Sequence, residues 1–301
     1  MVDGDNEILL LHADTIFESK RKRLPARAVS GDSYDLTQLA QEALLPHHIQ
    51  FVWHGVNSDA NIRQFVAADV QWAEVDARLS RDKRDIVLRN EPFDGAAADG
   101  AASVKKFDDV VQVLLAANKS VKIDLKENGL PVDMVIQLLT DCGAEDSRLW
   151  FNADIETLTE KGFLKLKKAF PGVIIQCPID FLVADLEQEP DKVERILNLL
   201  AGWGIARFSV SWKVSDIQRV IGRLDGWGHD INIYNVPDLE SFLKAVLLLP
   251  CSITADFNFP EWHYYGEGPG QEVYADEYRM HQKTFEYIQS LQQTALMVPD
   301  C

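Results

Sequence analysis

Cysteine is scarce in this sequence, and long apolar runs are missing. The four cysteines have neither the paired spacing of a zinc site nor the density of a disulfide framework, so we expect reduced thiols. No stretch is apolar enough to span a membrane, and the acidic start, Met1 to Asp5, lacks the apolar centre of a signal peptide. We therefore expect a soluble, cytoplasmic protein.

Positive charge is also in short supply. The chain has 301 residues, with 30 Lys and Arg against 47 Asp and Glu, so the formal net charge is -17. Nucleic acid and anionic membranes would be repelled by such a surface, and we expect neither as a partner. An anionic substrate would need a local cation. With 47% hydrophobic residues, the chain can bury a large core.

Short β-branched runs alternate with segments of helical period from Ile49 onward, which predicts βα units and a parallel sheet. The candidate strands are Ile49 to Trp53, Trp72 to Ala77, Ile86 to Leu88, Val121 to Leu125, Leu149 to Phe151, Val173 to Gln176, Arg207 to Val210, Ile231 to Tyr234 and Ser252 to Phe257. The linker 78–85 is too short for a crossover helix, so Ile86 to Leu88 should form an antiparallel hairpin. Eight parallel strands remain, and the segment 47–301 has the length typical of a (β/α)₈ barrel, ~250 residues.

The flanking segments are less regular. Residues 1–46 contain a strand-like run, a basic stretch Lys20 to Arg23 and a short amphipathic helix, and we expect an extension packed on the barrel. The basic stretch could bind an anion or act as a localisation signal, but a solvated loop is the more common role. A helix near Glu272 to Leu291 would close the ring. Two Gly-Trp-Gly sequences, at 202–204 and 226–228, predict helix ends, and Ser215 is a candidate helix cap.

Acidic side chains follow two of the predicted strands. Glu74 and Asp76 are two residues apart and therefore share a face of their strand, while Asp124 ends a later strand. His54 follows the first strand. In a (β/α)₈ barrel the carboxyl ends of the strands meet at one rim, so three carboxylates and an imidazole would suit a divalent metal and phosphate-ester chemistry. The alternative is that these acids only bond loop amides or water.

The same residues resemble a known superfamily. His54-Gly55, Glu74-Val75-Asp76, Asp124-Leu125-Lys126 and the segment Ile253 to Asp256 followed by Pro260 are similar to motifs of the glycerophosphodiester phosphodiesterases and phosphatidylinositol phospholipases. The segments Trp53 to Ser58, Lys122 to Lys126 and Asn152 to Ile155 resemble the menorin family, an offshoot of that superfamily. The resemblance covers most of residues 50–260.

The resemblance implies roles for these residues. Glu74, Asp76 and Asp124 would hold Mg²⁺ or Ca²⁺, Lys126 would contact phosphate, and His54 would act as general base or acid. Five further polar residues of the predicted rim would bind substrate: Asn57, Arg89, Asn152, Asp154 and Tyr234. For each of these the alternative is a turn-forming or solvated residue.

One catalytic position departs from the superfamily. A second histidine is expected after the hairpin, where this chain has Asn90, and an amide cannot exchange a proton near neutral pH. Glu91 and His263 are candidate substitutes. Two functions follow: a metal-dependent phosphodiesterase acting on a phosphodiester small molecule or a lipid-derived head group, or a related barrel that has lost turnover and acts as a binding or scaffolding protein.

Overall fold

The computed structural model describes residues 49–68, 70–93, 104–237 and 239–256, apart from the side chains of residues 239, 240 and 243. The expected N-terminal extension, the helix near Glu272 to Leu291, and His263 lie outside these ranges.

Nine strands form within the described ranges, as the sequence predicts, with bounds that differ by a few residues. They are β1 (Gln50–Trp53), β2 (Trp72–Leu79), β3 (Ile86–Leu88), β4 (Ser120–Leu125), β5 (Leu149–Asn152), β6 (Ile174–Pro178), β7 (Arg207–Ser211), β8 (Asp230–Val236) and β9 (Ser252–Ala255).

Eight of the strands close into a parallel barrel in the order β1-β9-β8-β7-β6-β5-β4-β2, and β2 returns to pair with β1. The ninth, β3, pairs antiparallel with the second half of β2, through Ala77 with Leu88 and Leu79 with Ile86. Both the (β/α)₈ barrel and the hairpin after its second strand are therefore confirmed.

Helices cover the outside of the barrel. They are α1 (Asp59–Ala67), α2 (Phe107–Ala116), α3 (Leu130–Asp141), α4 (Ile155–Ala169), α5 (Asp185–Gln188), α6 (Pro190–Gly202), α7 (Ile217–Gly226) and α8 (Leu239–Val246). Short 3₁₀ turns lie at Asp146–Arg148 and Asp180–Leu182. No helix within the described ranges is long and apolar enough to cross a membrane.

The helix ends follow local sequence signals. Helices α6 and α7 end at Gly202 and Gly226, and the second glycine of each Gly-Trp-Gly has a positive φ, so the predicted helix stops are confirmed. The prediction that Ser215 caps α7 is wrong. Asp216 occupies that position in a left-handed conformation, and no side chain makes a capping hydrogen bond there.

Side chains alternate between the two faces of each strand. The outward set packs on the helices, with Phe51 against Phe242 at 4.9 Å and Trp53 against Phe65 at 5.7 Å between ring centroids. The inward set is largely polar, whereas bulky branched side chains usually fill such a barrel. Hydrogen bonds cross its interior, for example from Lys122 Nζ on β4 to Thr254 Oγ1 on β9 at 3.1 Å. This alternation places the inward side chains at the carboxyl ends of the strands around one mouth.

Candidate active site

The two acidic motifs are aligned by the pairing of β2 with β4. Asp76 lies directly beside Asp124, and Glu74 lies directly beside Lys122. The ladder continues past β4, because the amide of Lys126 donates to the carbonyl of Ala77 at 3.2 Å. Both motifs therefore present their side chains to the same mouth at matching heights, as the sequence predicts.

The Lys126 ammonium lies between the two aspartates. Nζ is 3.0 Å from Asp76 Oδ1 and 2.5 Å from Asp124 Oδ2. Burial alone would lower the pKa of Lys126, but the charges of Asp124 and Asp76 outweigh it and raise that pKa above its usual range. Burial would raise the pKa of Asp76, yet the neighbouring charges of Lys126 and His54 lower it. Asp76 and Lys126 are therefore held in their charged forms.

Amide side chains hold the other oxygen of each aspartate. Asn57 Nδ2 donates to Asp76 Oδ2 at 2.5 Å, and the backbone amide of Asp76 donates to Asn57 Oδ1 at 3.0 Å. Asn152 Nδ2 donates to Asp124 Oδ1 at 2.9 Å, and Gln176 Nε2 donates to Asn152 Oδ1 at 2.8 Å. Two of the predicted substrate-binding residues, Asn57 and Asn152, are thus part of the acidic network.

Glu74 lies one layer deeper and has its own lysine. Lys122 Nζ is 3.0 Å from Glu74 Oε2 and 4.9 Å from the ring centroid of Trp150. The Lys122 side chain is 2% exposed and that of Glu74 is 6% exposed. The acid and the ammonium neutralise each other in the interior, which a buried charge requires.

His54 pairs with Asp256 across the first and last strands. The His54 Nδ1 atom lies 2.9 Å from Asp256 Oδ1, and the His54 side chain is about one-fifth exposed. Burial would lower the pKa of His54, but the hydrogen bond and charge of Asp256, together with the charges of Glu74 and Asp76, raise it to about 9. The imidazole is therefore protonated at neutral pH, with Asp256 fixing its orientation.

The segment after the hairpin carries Arg89 and Asn90. The backbone amide of Arg89 donates to the carbonyl of Asp76 at 3.0 Å, but its guanidinium turns to the carbonyl of Glu91 at 2.7 Å and lies over the Phe93 ring at 4.7 Å. The Asn90 carbonyl accepts from Arg78 Nη2 at 2.7 Å, and Asn90 Nδ2 lies 3.4 Å from Glu91 Oε1. These contacts hold the Arg89 guanidinium against its own loop.

Tyr234 and Asp154 lie farther around the rim. The Tyr234 hydroxyl donates to Asp180 Oδ2 at 2.7 Å, and the backbone amide of Ser211 donates to Asp180 Oδ1 at 2.7 Å. Asp154 is the N-cap residue of α4. Tyr234 therefore belongs to a cluster with Asp180 and Ser211, and Asp154 stands at the start of α4.

Several partners in the site were not assigned a role by sequence reasoning. Lys122, Gln176 and Asp256 each support a predicted site residue. Lys122 lies beside Glu74 in the sheet, Gln176 lies beside Asn152, and Asp256 contacts His54. All three follow the alternation of inward and outward side chains along the strands. That alternation was the available signal. Arg78 also lies inward, two positions beyond Asp76, and contacts Glu127 at 3.3 Å; nothing in the sequence marked that pair.

The acids suit a hard divalent cation by their chemistry. Carboxylate and amide oxygens are the ligands that Mg²⁺ and Ca²⁺ prefer, and one oxygen of Asp76 and one of Asp124 converge on a single positive group, the Lys126 ammonium. Glu74 shares the strand face of Asp76. Within the described ranges, no three His, Cys, Asp or Glu side chains are already gathered around one point. The donors therefore fit a cation by type, with an ammonium at the point of convergence.

A separate cavity of about 250 Å³ lies between α5 and α7, lined by Leu186, Glu187, Asp216, Arg219 and Arg223 among others. None of the site residues named above lines it.

Known proteins resemble this chain in structure. No family model matches the sequence, and no curated protein matches it. Among solved structures, a phosphodiesterase from Oleispira antarctica in complex with the product sn-glycerol-3-phosphate is 14% identical, with a TM-score of 0.55 over 72% of this chain and 95% of its own. A glycerophosphodiester phosphodiesterase from Agrobacterium tumefaciens C58 is 14% identical, with a TM-score of 0.50 over 71% and 98%. At these identities the likeness shows a shared fold.

Proposed function

We propose that this protein is a metal-dependent phosphodiesterase that acts on a glycerophosphodiester-like small molecule or a lipid-derived head group. The observation that carries the proposal is that the His54–Asp256 pair and the Asp76–Lys126–Asp124 cluster occupy the carboxyl ends of neighbouring strands around one mouth. The shared fold with phosphodiesterases, one of them holding sn-glycerol-3-phosphate, supports this substrate class. The sequence motifs favour the menorin branch of the superfamily.

His54 is the proton donor of the proposed reaction. Its raised pKa, about 9, keeps the imidazolium form at neutral pH, and Asp256 holds Nδ1. A substrate hydroxyl or a water attacks phosphorus, the bond from phosphorus to the leaving oxygen breaks, and His54 gives its proton to that oxygen. The proton of the nucleophile passes to solvent. General acid help of this kind contributes roughly 10²- to 10⁴-fold in rate.

A phosphodiester anion requires positive charge at its site. Lys126, together with a cation held by the acids, would supply it. Glu74, Asp76 and Asp124 would hold Mg²⁺ or Ca²⁺, which when bound polarises a phosphoryl oxygen and offsets the repulsion between an anion and this acidic protein. Lys126 would contact the phosphate, while Asn57 and Asn152 keep the carboxylates in place. Arg89, Asp154 and Tyr234 would meet the alcohol portions of the substrate farther out.

A hydrolysis panel tests this function. Glycerophosphodiesters, lysophospholipids and cyclic phosphates are assayed with Mg²⁺, Ca²⁺, Mn²⁺ or chelator, using the wild type, Glu74→Ala, His54→Gln and a surface control, Lys165→Met. We expect cation-dependent turnover that Glu74→Ala and His54→Gln abolish and Lys165→Met preserves. Turnover retained in His54→Gln would contradict the assignment of His54 as the proton donor. A wild type that is inactive on every substrate would contradict the proposed phosphodiesterase function.

The second candidate function is a binding or scaffolding protein that has lost turnover. Asn90 favours it, because this residue stands where the superfamily has a second histidine and its amide cannot carry a proton. Binding of sn-glycerol-3-phosphate without turnover, and turnover gained by Asn90→His, would support this alternative. Wild-type activity equal to or above that of Asn90→His would count against it.

A further inference from the structure

The ammonium of Lys126 occupies the point where two carboxylates converge. Its distances of 3.0 Å to Asp76 Oδ1 and 2.5 Å to Asp124 Oδ2 are those of charge-assisted hydrogen bonds, and these two oxygens belong to directly paired residues of β2 and β4. A side-chain cation therefore fills a position with the charge and ligands that a divalent cation would seek.

The two carboxylates do not depend on Lys126 for their orientation. In each, the oxygen that does not meet the ammonium is held by an amide: Asp76 Oδ2 by Asn57 and Asp124 Oδ1 by Asn152. Asn57 is fixed in turn by the backbone amide of Asp76, and Asn152 by Gln176. If the ammonium withdrew, two anchored oxygens would still face the same point.

Lys126 has room to withdraw, whereas the neighbouring lysine has none. The Lys126 side chain is 21% exposed at the mouth, and that of Lys122 is 2% exposed in the interior. Lys122 also contacts Thr254 and the Trp150 ring, so it is enclosed on several sides. A lysine has a flexible four-carbon stem and can carry its charge a few ångströms into the mouth without backbone movement.

We propose that Lys126 is an exchangeable internal cation, whose ammonium offsets part of the charge of Asp76 and Asp124 until a divalent cation takes that position, and then turns outward to bind the phosphate of an incoming anion. The inference rests on the proposed function, since it assigns an order of binding to that same site. Binding of the cation and binding of the anion then favour each other. This coupling is reciprocal by thermodynamic necessity.

Direct binding measurements on the full chain test the exchange without any assay of turnover. Mn²⁺ and Ca²⁺ alone are titrated calorimetrically into the wild type, Lys126→Met, Lys126→Arg and Lys165→Met. The last variant breaks an exposed lysine–aspartate pair, with Asp133, between helices α4 and α3. Because Lys126→Met removes the competing charge, we expect it to bind the cation about tenfold more tightly or better. Lys126→Arg and Lys165→Met should stay close to the wild type.

The second arm measures coupling with sn-glycerol-3-phosphate. We expect the wild type to bind this anion more tightly when Ca²⁺ is present, and the gain to be lost in Lys126→Met. Thermal unfolding with and without Ca²⁺ checks that each variant is folded and repeats the ranking of cation affinity.

Three outcomes would overturn the exchange. In the first, Lys126→Met binds the cation no more tightly than the wild type, and in the second, Lys126→Arg binds it as tightly as Lys126→Met. In the third, neither the wild type nor Lys126→Met binds a cation. Failure of the function looks different. If cation affinity shifts as expected and no substrate is hydrolysed, the exchange is supported and the phosphodiesterase function is contradicted.

Discussion

The His54 Nδ1 atom lies 2.9 Å from Asp256 Oδ1, so the first and last strands of the barrel are joined at the mouth by a charged hydrogen bond. The pair places an imidazolium directly beside the acidic cluster. It also closes the ring at the seam between β1 and β9, where the chain begins and ends its circuit. Both stability and reactivity should therefore depend on the protonation of one side chain.

Stability should fall as the pH rises through the folded-state pKa of His54. That pKa is raised from 6.5 to about 9, so the contribution is fully present below pH 6.5 and is lost above pH 9. The shift corresponds to about 3 kcal/mol. Chemical denaturation of the wild type across this window measures it. Asp256→Asn should flatten the decline, and an equally steep decline in that variant would remove Asp256 as its cause.

The same pair should set the alkaline limb of the rate profile. If His54 donates a proton, kcat/KM should decrease above about pH 9, because the acid form is lost. In Asp256→Asn the limb should move to lower pH, since burial then acts on the imidazole without its carboxylate. The measurement is kcat/KM across pH with a phosphodiester substrate. A limb that stays at the same pH in Asp256→Asn would assign it to another group.

The buried Glu74–Lys122 pair should be costly to break from one side. Lys122→Met leaves an uncompensated carboxylate in the interior, and we expect a loss of about 3–5 kcal/mol in the free energy of unfolding. The double variant Glu74→Leu with Lys122→Met removes both charges and should recover most of that loss. Urea unfolding of the three proteins gives the comparison. A double variant as unstable as Lys122→Met alone would show that packing, and not charge, dominates here.

The glycines at the end of α6 should respond in opposite ways to alanine. Gly204 has a φ of +93° and an added Cβ would lie 2.8 Å from Lys167 Cγ, so Gly204→Ala should cost about 1 kcal/mol or more. Gly202 is helical with open space around it, and Gly202→Ala should gain up to about 1 kcal/mol. Thermal unfolding of both variants tests the contrast. Equal shifts would contradict it.

The sequence predicted the barrel well because alternation and linker length are local signals. The linker 78–85 alone identified the hairpin, and every strand in the described part of the chain was found within a few residues. The acids at strand ends were likewise found from their spacing. Pairing across strands was not: Lys122 with Glu74 and Lys126 with both aspartates depend on sheet register and side-chain rotamer, which a sequence does not state. Ser215 was mistaken for a cap because the left-handed Asp216 carries no marker in its neighbours.

One edge of β2 has three neighbours in succession. It pairs with β1 at Trp72 and Ala73, next bonds the loop after β1 through Glu74 and the side chain of Asn57, and finally pairs with the hairpin. The Asn57 side-chain amide thus bonds β2 between its pairings with β1 and with β3, and it also holds the Asp76 carboxylate. Replacing Asn57 would remove a hydrogen bond to the β2 backbone and a hydrogen bond to the Asp76 carboxylate. Both the stability of the fold and the chemistry of the site should therefore be affected.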